Sequence, residues 1–144
     1  MFRKFDIFLI DLFYRIWRPL SRISLFIVFF YFGLLKVLNL SPATPLVELL
    51  AQKTINFINF NYFLVFFGIF EMIIGLFFIL PNFERIAIFL LFLHMITTFL
   101  PLVFLYDITW SGFLIPTLEG QYIIKNLVII SLALVIGGHL NKNN

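Results

Sequence analysis

Four ionisable residues interrupt the most apolar stretches of this chain: Lys36, Glu71, His94 and Lys125. A charged side chain within hydrocarbon is costly unless it is paired, so an ionisable residue at such a position is a candidate for function. A glutamate or a histidine can exchange protons, and a lysine can donate hydrogen bonds to a ligand. With two polar neighbours of Lys125 added, the candidate ligand-binding residues are Lys36, Glu71, His94, Glu119, Lys125 and Asn126.

The apolar stretches that carry these residues have the length of membrane-spanning helices. They cover about residues 22–40, 62–80, 86–106 and 121–138, and a helix needs roughly 20 residues to cross the hydrocarbon layer. A chain that is 62% hydrophobic, with 22 Phe, could not bury its apolar surface in a soluble core of 144 residues. The sequence therefore predicts an all-α integral membrane four-helix bundle, with residues 1–144 as a single membrane domain.

The first eighteen residues predict an amphipathic helix at the membrane surface. Apolar side chains such as Phe5 and Leu9 recur at helical spacing, whereas Lys4 and Arg15 fall on the other face. We expect residues 1–18 to form an interfacial helix that ends at Pro19. The plainer interpretation is an anchor that serves only topology.

The distribution of Lys and Arg predicts the orientation of the chain. Lys53 alone falls on one side of the predicted bundle, and the other side collects Arg3, Lys4, Arg15, Arg18, Arg22, Arg85 and Lys142. By the positive-inside rule, both termini face the cytoplasm and the two longer loops face outward, as in a multi-pass protein of the bacterial cytoplasmic (inner) membrane. The lipid bilayer is then the main partner. Nucleic acid is not expected as a partner, because the basic residues do not spread over a soluble face.

Helix faces suggest how the ionisable residues meet. Glu71 shares a stripe with Gly68 and Gly75, and small residues mark a face that packs closely on a neighbouring helix. A deep carboxylate needs a partner, so we expect a buried ion pair of Glu71 with either Lys36 or Lys125. Either lysine could instead extend its ammonium to the interface and serve as an anchor.

Residue types also limit the cofactors. The chain has no cysteine, which removes disulfides, thiol catalysis and iron–sulfur clusters. A haem held by two histidines is not expected, because His139 lies at the cytoplasmic end of the fourth span, far in depth from His94. His94 could also be a hydrogen-bonding core histidine. No metal site is predicted.

Three runs of residues resemble a known family. They are Ile27 to Lys36, Gly68 to Leu76 and Leu118 to Asn126, and they look like the DoxX-like membrane protein superfamily, most of all its YkgB (reactive chlorine resistance protein C) branch. The resemblance implies a four-helix membrane bundle. It also implies a link to quinone chemistry, since one branch supplies a membrane subunit of thiosulfate:quinone oxidoreductase, and to oxidant defence and the stress response. Membrane or periplasmic redox subunits are the partners it suggests.

Two classes of function follow. The first is a quinone-linked or oxidant-defence membrane subunit, in which the outer loops cap a cavity in the outer half of the bundle. We expect aromatic side chains to line this cavity together with Lys36, Glu71, His94 and Lys125. The second is a small proton-coupled transporter in which Glu71 exchanges a proton for a substrate. A structural or accessory membrane partner without chemistry is the third alternative.

Overall fold

Four helices of the chain are long and apolar enough to cross a membrane, in a computed structural model that describes residues 2–140 and the side chains of residues 3–140. This confirms the prediction of an all-α membrane bundle. Lys142, counted in the charge distribution, and Met1 lie outside the described residues. In chain order the elements are α1 Phe2–Val37, α2 Thr44–Thr54, α3 Phe60–Ile79, α4 Glu84–Phe99, α5 Pro101–Phe104, α6 Tyr106–Thr109, β1 Trp110–Gly112, β2 Ile115–Pro116 and α7 Leu118–Gly138.

The first helix does not end at Pro19, and this part of the prediction is wrong. α1 runs without interruption for 36 residues and contains Pro19 in its interior. A proline removes one backbone donor and crowds the carbonyl four residues before it. Ending the helix would leave several backbone groups unpaired, which costs more in apolar surroundings than the loss of one bond. Only the second half of α1 packs in the bundle, and an interfacial position for its first half remains a prediction.

The two ends of the bundle differ. We call the end with the short connection between α3 and α4 the turn end; Asn82 in this connection has a φ of 69°. We call the opposite end the cap end, because α2, α5, α6 and the hairpin formed by β1 and β2 cover it. α2 has Pro45 in its first turn, where a proline is well tolerated. The hairpin was not predicted, and Leu114 at its tip adopts a φ of 57° without the Gly or Asn that usually signals such a turn.

The core is formed by one apolar face of each long helix. α1 packs mainly on α3, and α4 packs on both α3 and α7. These faces meet in one cluster of buried side chains: Leu25, Phe29, Ile74, Phe78, Ala87, Leu91, Met95, Ala133 and Ile136. Many of the other large apolar side chains are exposed, as expected of helices that face lipid.

Arg22 joins three elements at the turn end. Its guanidinium donates hydrogen bonds to the backbone carbonyls of Phe78, at 2.5 Å, and Leu80, at 3.1 Å, where α3 ends. It also lies 2.8 Å from a carboxylate oxygen of Glu84, the first residue of α4. Arg22 thus satisfies carbonyls that have no partner within α3 and pairs with an acid at the favourable, positive end of the α4 dipole. Sequence reasoning had counted Arg22 only as a topological charge.

We expect Arg22→Gln to lower the free energy of unfolding by about 2 kcal/mol, because hydrogen bonds from a charged donor are lost and Glu84 stays buried without its closest partner. Reversible unfolding in mixed micelles measures this change. Arg18→Gln is the matched control. Arg18 lies 3.9 Å from Glu84 and is half exposed, so its loss should cost less than about 1 kcal/mol. Equal effects of the two substitutions would contradict the role given to Arg22.

Candidate functional site

Lys36, Glu71 and His94 form a buried hydrogen-bonded cluster. The Lys36 ammonium donates to Glu71 Oε2 at 2.6 Å, and His94 Nε2 lies 3.1 Å from Glu71 Oε1. Their exposed fractions are 6%, 5% and 6%. Each carboxylate oxygen therefore has its own partner, and the ammonium offsets the charge of the carboxylate. The buried ion pair expected for Glu71 is formed with Lys36.

Close approach of α1 and α3 creates this pairing. A methyl group added at Gly33 would lie 2.5 Å from the carbonyl oxygen of Gly68, and one added at Gly68 would lie 3.0 Å from Cβ of Lys36. Only glycine allows the two backbones to come so near. Lys36 lies three residues after Gly33, and Glu71 three residues after Gly68. Both ionisable side chains consequently leave their helices one turn from the point of closest contact.

Three phenylalanine rings surround the imidazole of His94. The ring centroids of Phe29, Phe67 and Phe70 lie 5.5, 5.0 and 6.2 Å from that of His94. The Lys36 ammonium lies 5.7 Å from the centroid of Phe67. Such apolar walls strengthen the electrostatic attraction within the cluster, since they exclude water. They also make any unpaired charge there expensive.

One nitrogen of His94 remains without a partner. Nδ1 is buried and forms no hydrogen bond with any atom of residues 2–140. Nε2 is 3.4 Å from the hydroxyl of Thr98, and that hydroxyl also donates to the His94 carbonyl. Thr98 of α4 thus contacts the cluster. A buried polar atom without a partner usually marks the place of a water, an ion or a ligand.

A cleft of about 150 Å³ opens beside the cluster at the cap end, where α1 ends and α3 begins. Apolar side chains form part of its wall, and polar atoms come from Lys36 and two asparagines. The lining residues are Lys36, Val37, Asn39, Asn61, Leu64 and Val65. This cleft differs from the expected cavity, because Lys36 is the only ionisable residue that lines it among residues 3–140. Glu71 and His94 are not among its lining residues, and hydrogen bonds join them to Lys36.

The remaining candidates lie elsewhere, and Lys125, the alternative partner expected for Glu71, is not part of the buried pair. Lys125 and Glu119 are exposed, and Asn126 is half-buried. At this level α7 buries Gly120 and Ile123, and a residue two positions after Ile123 points about 200° away around the helix. The Lys125 ammonium instead lies 5.1 Å from the ring centroid of Tyr122, as expected for a lysine that reaches towards the interface.

Sequence reasoning found the three ionisable members of the cluster and expected aromatic side chains around them. It did not identify Phe29, Phe67 and Phe70, because phenylalanine occurs throughout this chain. Asn39 and Asn61 could have been noticed as amides at the ends of two apolar stretches. Comparison of the chain with protein-family models, with curated proteins and with solved structures found no match.

Proposed function

We propose that this protein is a DoxX-like membrane subunit linked to quinone chemistry or oxidant defence, with its polar site in the half of the bundle nearer the cap end. The observation that carries the proposal is the buried chain Lys36–Glu71–His94 with Lys36 at the wall of an open cleft. Such a chain can donate a hydrogen bond to a ligand and relay protons behind it. We choose a quinone or an oxidant as the molecule concerned because of the resemblance to the DoxX-like superfamily.

The cleft suits a small ring better than an ion. A volume near 150 Å³ is about that of an engineered cavity that binds benzene, so one quinone ring fits if its tail leaves through the opening. Lys36 and the amides of Asn39 and Asn61 would hold the ring oxygens. A quinone supplies two-electron chemistry accompanied by proton exchange, and the electrons would come from a partner redox subunit. Glu71 and His94 would hold and move the protons.

We further propose a bacterial inner-membrane location with both termini in the cytoplasm and the cap end outward. Support comes from the positive-inside rule. Lys53 lies in α2 at the cap end, where its ammonium donates to the Phe104 carbonyl at 3.0 Å. Arg22 lies at the turn end together with Arg85 and the basic residues of the first half of α1. The cleft would then open towards the outer leaflet or the periplasm.

The test is a variant that removes the chemistry without leaving a lone buried charge. We expect the double substitution Lys36→Met with Glu71→Gln to insert at the normal level and to abolish rescue of a deletion strain challenged with hypochlorite or dependent on thiosulfate. The matched control is Lys125→Met with Glu119→Gln. It removes one charge of each sign at exposed positions and is expected to rescue fully.

A structural role is the second candidate, and the position of the ion pair favours it. Lys36 and Glu71 lie one turn from the glycine contact of α1 and α3. An ion pair at this place, with no net charge, could serve only to hold the two helices together. This candidate predicts full rescue by the double variant, because two neutral side chains can replace a buried ion pair without loss of the fold. Full rescue would therefore reject the redox proposal and leave the structural role.

A further inference from the structure

The first half of α1 extends beyond the bundle. The helix has 36 residues and is about 54 Å long, whereas the hydrocarbon layer is about 30 Å thick. Between Arg3 and Leu20 no side chain is buried, and core packing begins at Ser21 and Leu25. Apolar surface is exposed along this extension: Phe5, Phe8 and Phe13 are 62%, 61% and 58% exposed. Something apolar has to cover it.

The extension has two faces, and the bundle fixes their directions. Lys4, Asp11, Arg15, Arg18 and Arg22 follow one another at intervals of seven, four, three and four residues, which places them on one face of α1. Arg22 points at the turn between α3 and α4, so this polar stripe lies on the side of α1 that faces the bundle.

The opposite face is apolar apart from Asp6, which lies beside Leu9 and Phe13 near the N-terminal end of the helix. This face carries Phe5, Leu9, Leu12, Phe13 and Ile16, which point away from the bundle axis. If the extension leans outward from the bundle, this face turns towards the hydrocarbon and the polar stripe turns towards water. An inward lean would do the reverse. Only one direction of bending therefore suits both faces.

We propose that residues 3–16 lie along the membrane surface at the turn end, leaning outward from the bundle, with their basic side chains among anionic lipid headgroups. Pro19 supplies the bend, because it has no N–H to donate to the carbonyl of Arg15. Trp17 and Arg18 form the pivot, since Trp17 contacts the ring of His139 just after the end of α7 and Arg18 faces Glu84.

Charge selects lipid over a second copy of the chain as the occupant. From residue 3 to residue 18 the helix carries four basic residues, Arg3, Lys4, Arg15 and Arg18, against the acidic Asp6 and Asp11. Two such helices packed side by side would repel each other, whereas an anionic surface attracts each of them. The proposal concerns the surface of the protein and is independent of any ligand beside Lys36.

The chain has no cysteine, so single cysteines can be introduced and labelled with a nitroxide without further substitution. The apolar face is probed by Leu9→Cys and Phe13→Cys, and the polar face by Asp11→Cys and Arg15→Cys. Phe66→Cys on the exposed side of α3 is the reference for a lipid-facing site. The protein is placed in nanodiscs containing phosphatidylglycerol, and accessibility to oxygen and to a water-soluble nickel chelate is measured for each label.

We expect labels at residues 9 and 13 to be severalfold more accessible to oxygen than to the nickel chelate, as at residue 66, and labels at 11 and 15 to show the opposite preference. Replacing phosphatidylglycerol with neutral lipid should weaken this contrast, and Pro19→Ala should weaken it further by straightening the helix. Nickel access at all four sites would mean that the extension stands in water. Protection from both reagents with dipolar broadening would mean a second copy. Either result overturns the proposal.

Discussion

Glu71→Gln is expected to lower the free energy of unfolding by about 3–5 kcal/mol, because it leaves the Lys36 ammonium buried without its counter-ion. The ammonium lies 2.6 Å from the carboxylate, and the side chain of Lys36 is 8% exposed. The ammonium also lies 5.7 Å from the ring centroid of Phe67. In such apolar surroundings, water cannot easily replace the lost partner. The measurement is reversible unfolding in mixed micelles.

A double-substitution cycle separates the pair from the shape of its side chains. Lys36→Met together with Glu71→Gln removes both charges, and we expect this variant to recover most of the stability lost by Glu71→Gln alone. The interaction free energy between the two positions should then be about 3 kcal/mol, the upper end of the range for residues in contact. Glu119→Gln is the control for loss of a carboxylate at an exposed site, with an expected change within about 0.5 kcal/mol. Additive effects of the two substitutions would contradict a coupled pair.

The membrane bundle could be predicted from the sequence because the cost of exposing backbone polar groups to lipid leaves helices as the choice for long apolar stretches. Glu71 could be predicted to need a partner for the same reason. The identity of the partner could not be predicted. Lys36 and Lys125 lie at similar depths in their spans, and the choice depends on which helix lies beside α3. Gly33 and Gly68 carry that information, but their contact becomes visible only in three dimensions.

Local signals failed where tertiary context opposed them. Pro19 is a strong signal for the end of a helix, yet α1 continues through it because its neighbours in the helix keep their backbone bonds. The hairpin after α6 gave no turn signal, since Leu114 occupies a conformation that usually requires Gly or Asn. Side chains outside the turn stabilise it instead: Thr117 donates to the Ile108 carbonyl at 2.7 Å, and Trp110 donates to the Leu102 carbonyl at 3.0 Å.

The contact between α1 and α3 predicts a second large effect, at Gly33. Gly33→Leu is expected to cost about 3 kcal/mol or more, because overpacking at a close helix contact forces the backbones apart. The first added carbon alone would lie 2.5 Å from the Gly68 carbonyl oxygen and 2.9 Å from the Met72 backbone nitrogen. Both are backbone atoms, which cannot rotate away as the end of a flexible side chain could. Thermal unfolding in the same micelles measures the loss.

Gly138→Leu is the matched control, since no atom of the described residues lies within 4 Å of a carbon added there. We expect it to change stability by less than about 0.5 kcal/mol. The effect at Gly33 should also depend on the ion pair: when α1 and α3 separate, Lys36 can no longer reach Glu71, so Gly33→Leu should cost less in the double variant Lys36→Met with Glu71→Gln. Equal losses in the two backgrounds would show that the ion pair does not need the close approach of the helices, and equal losses at Gly33 and Gly138 would show that the approach itself contributes little to stability.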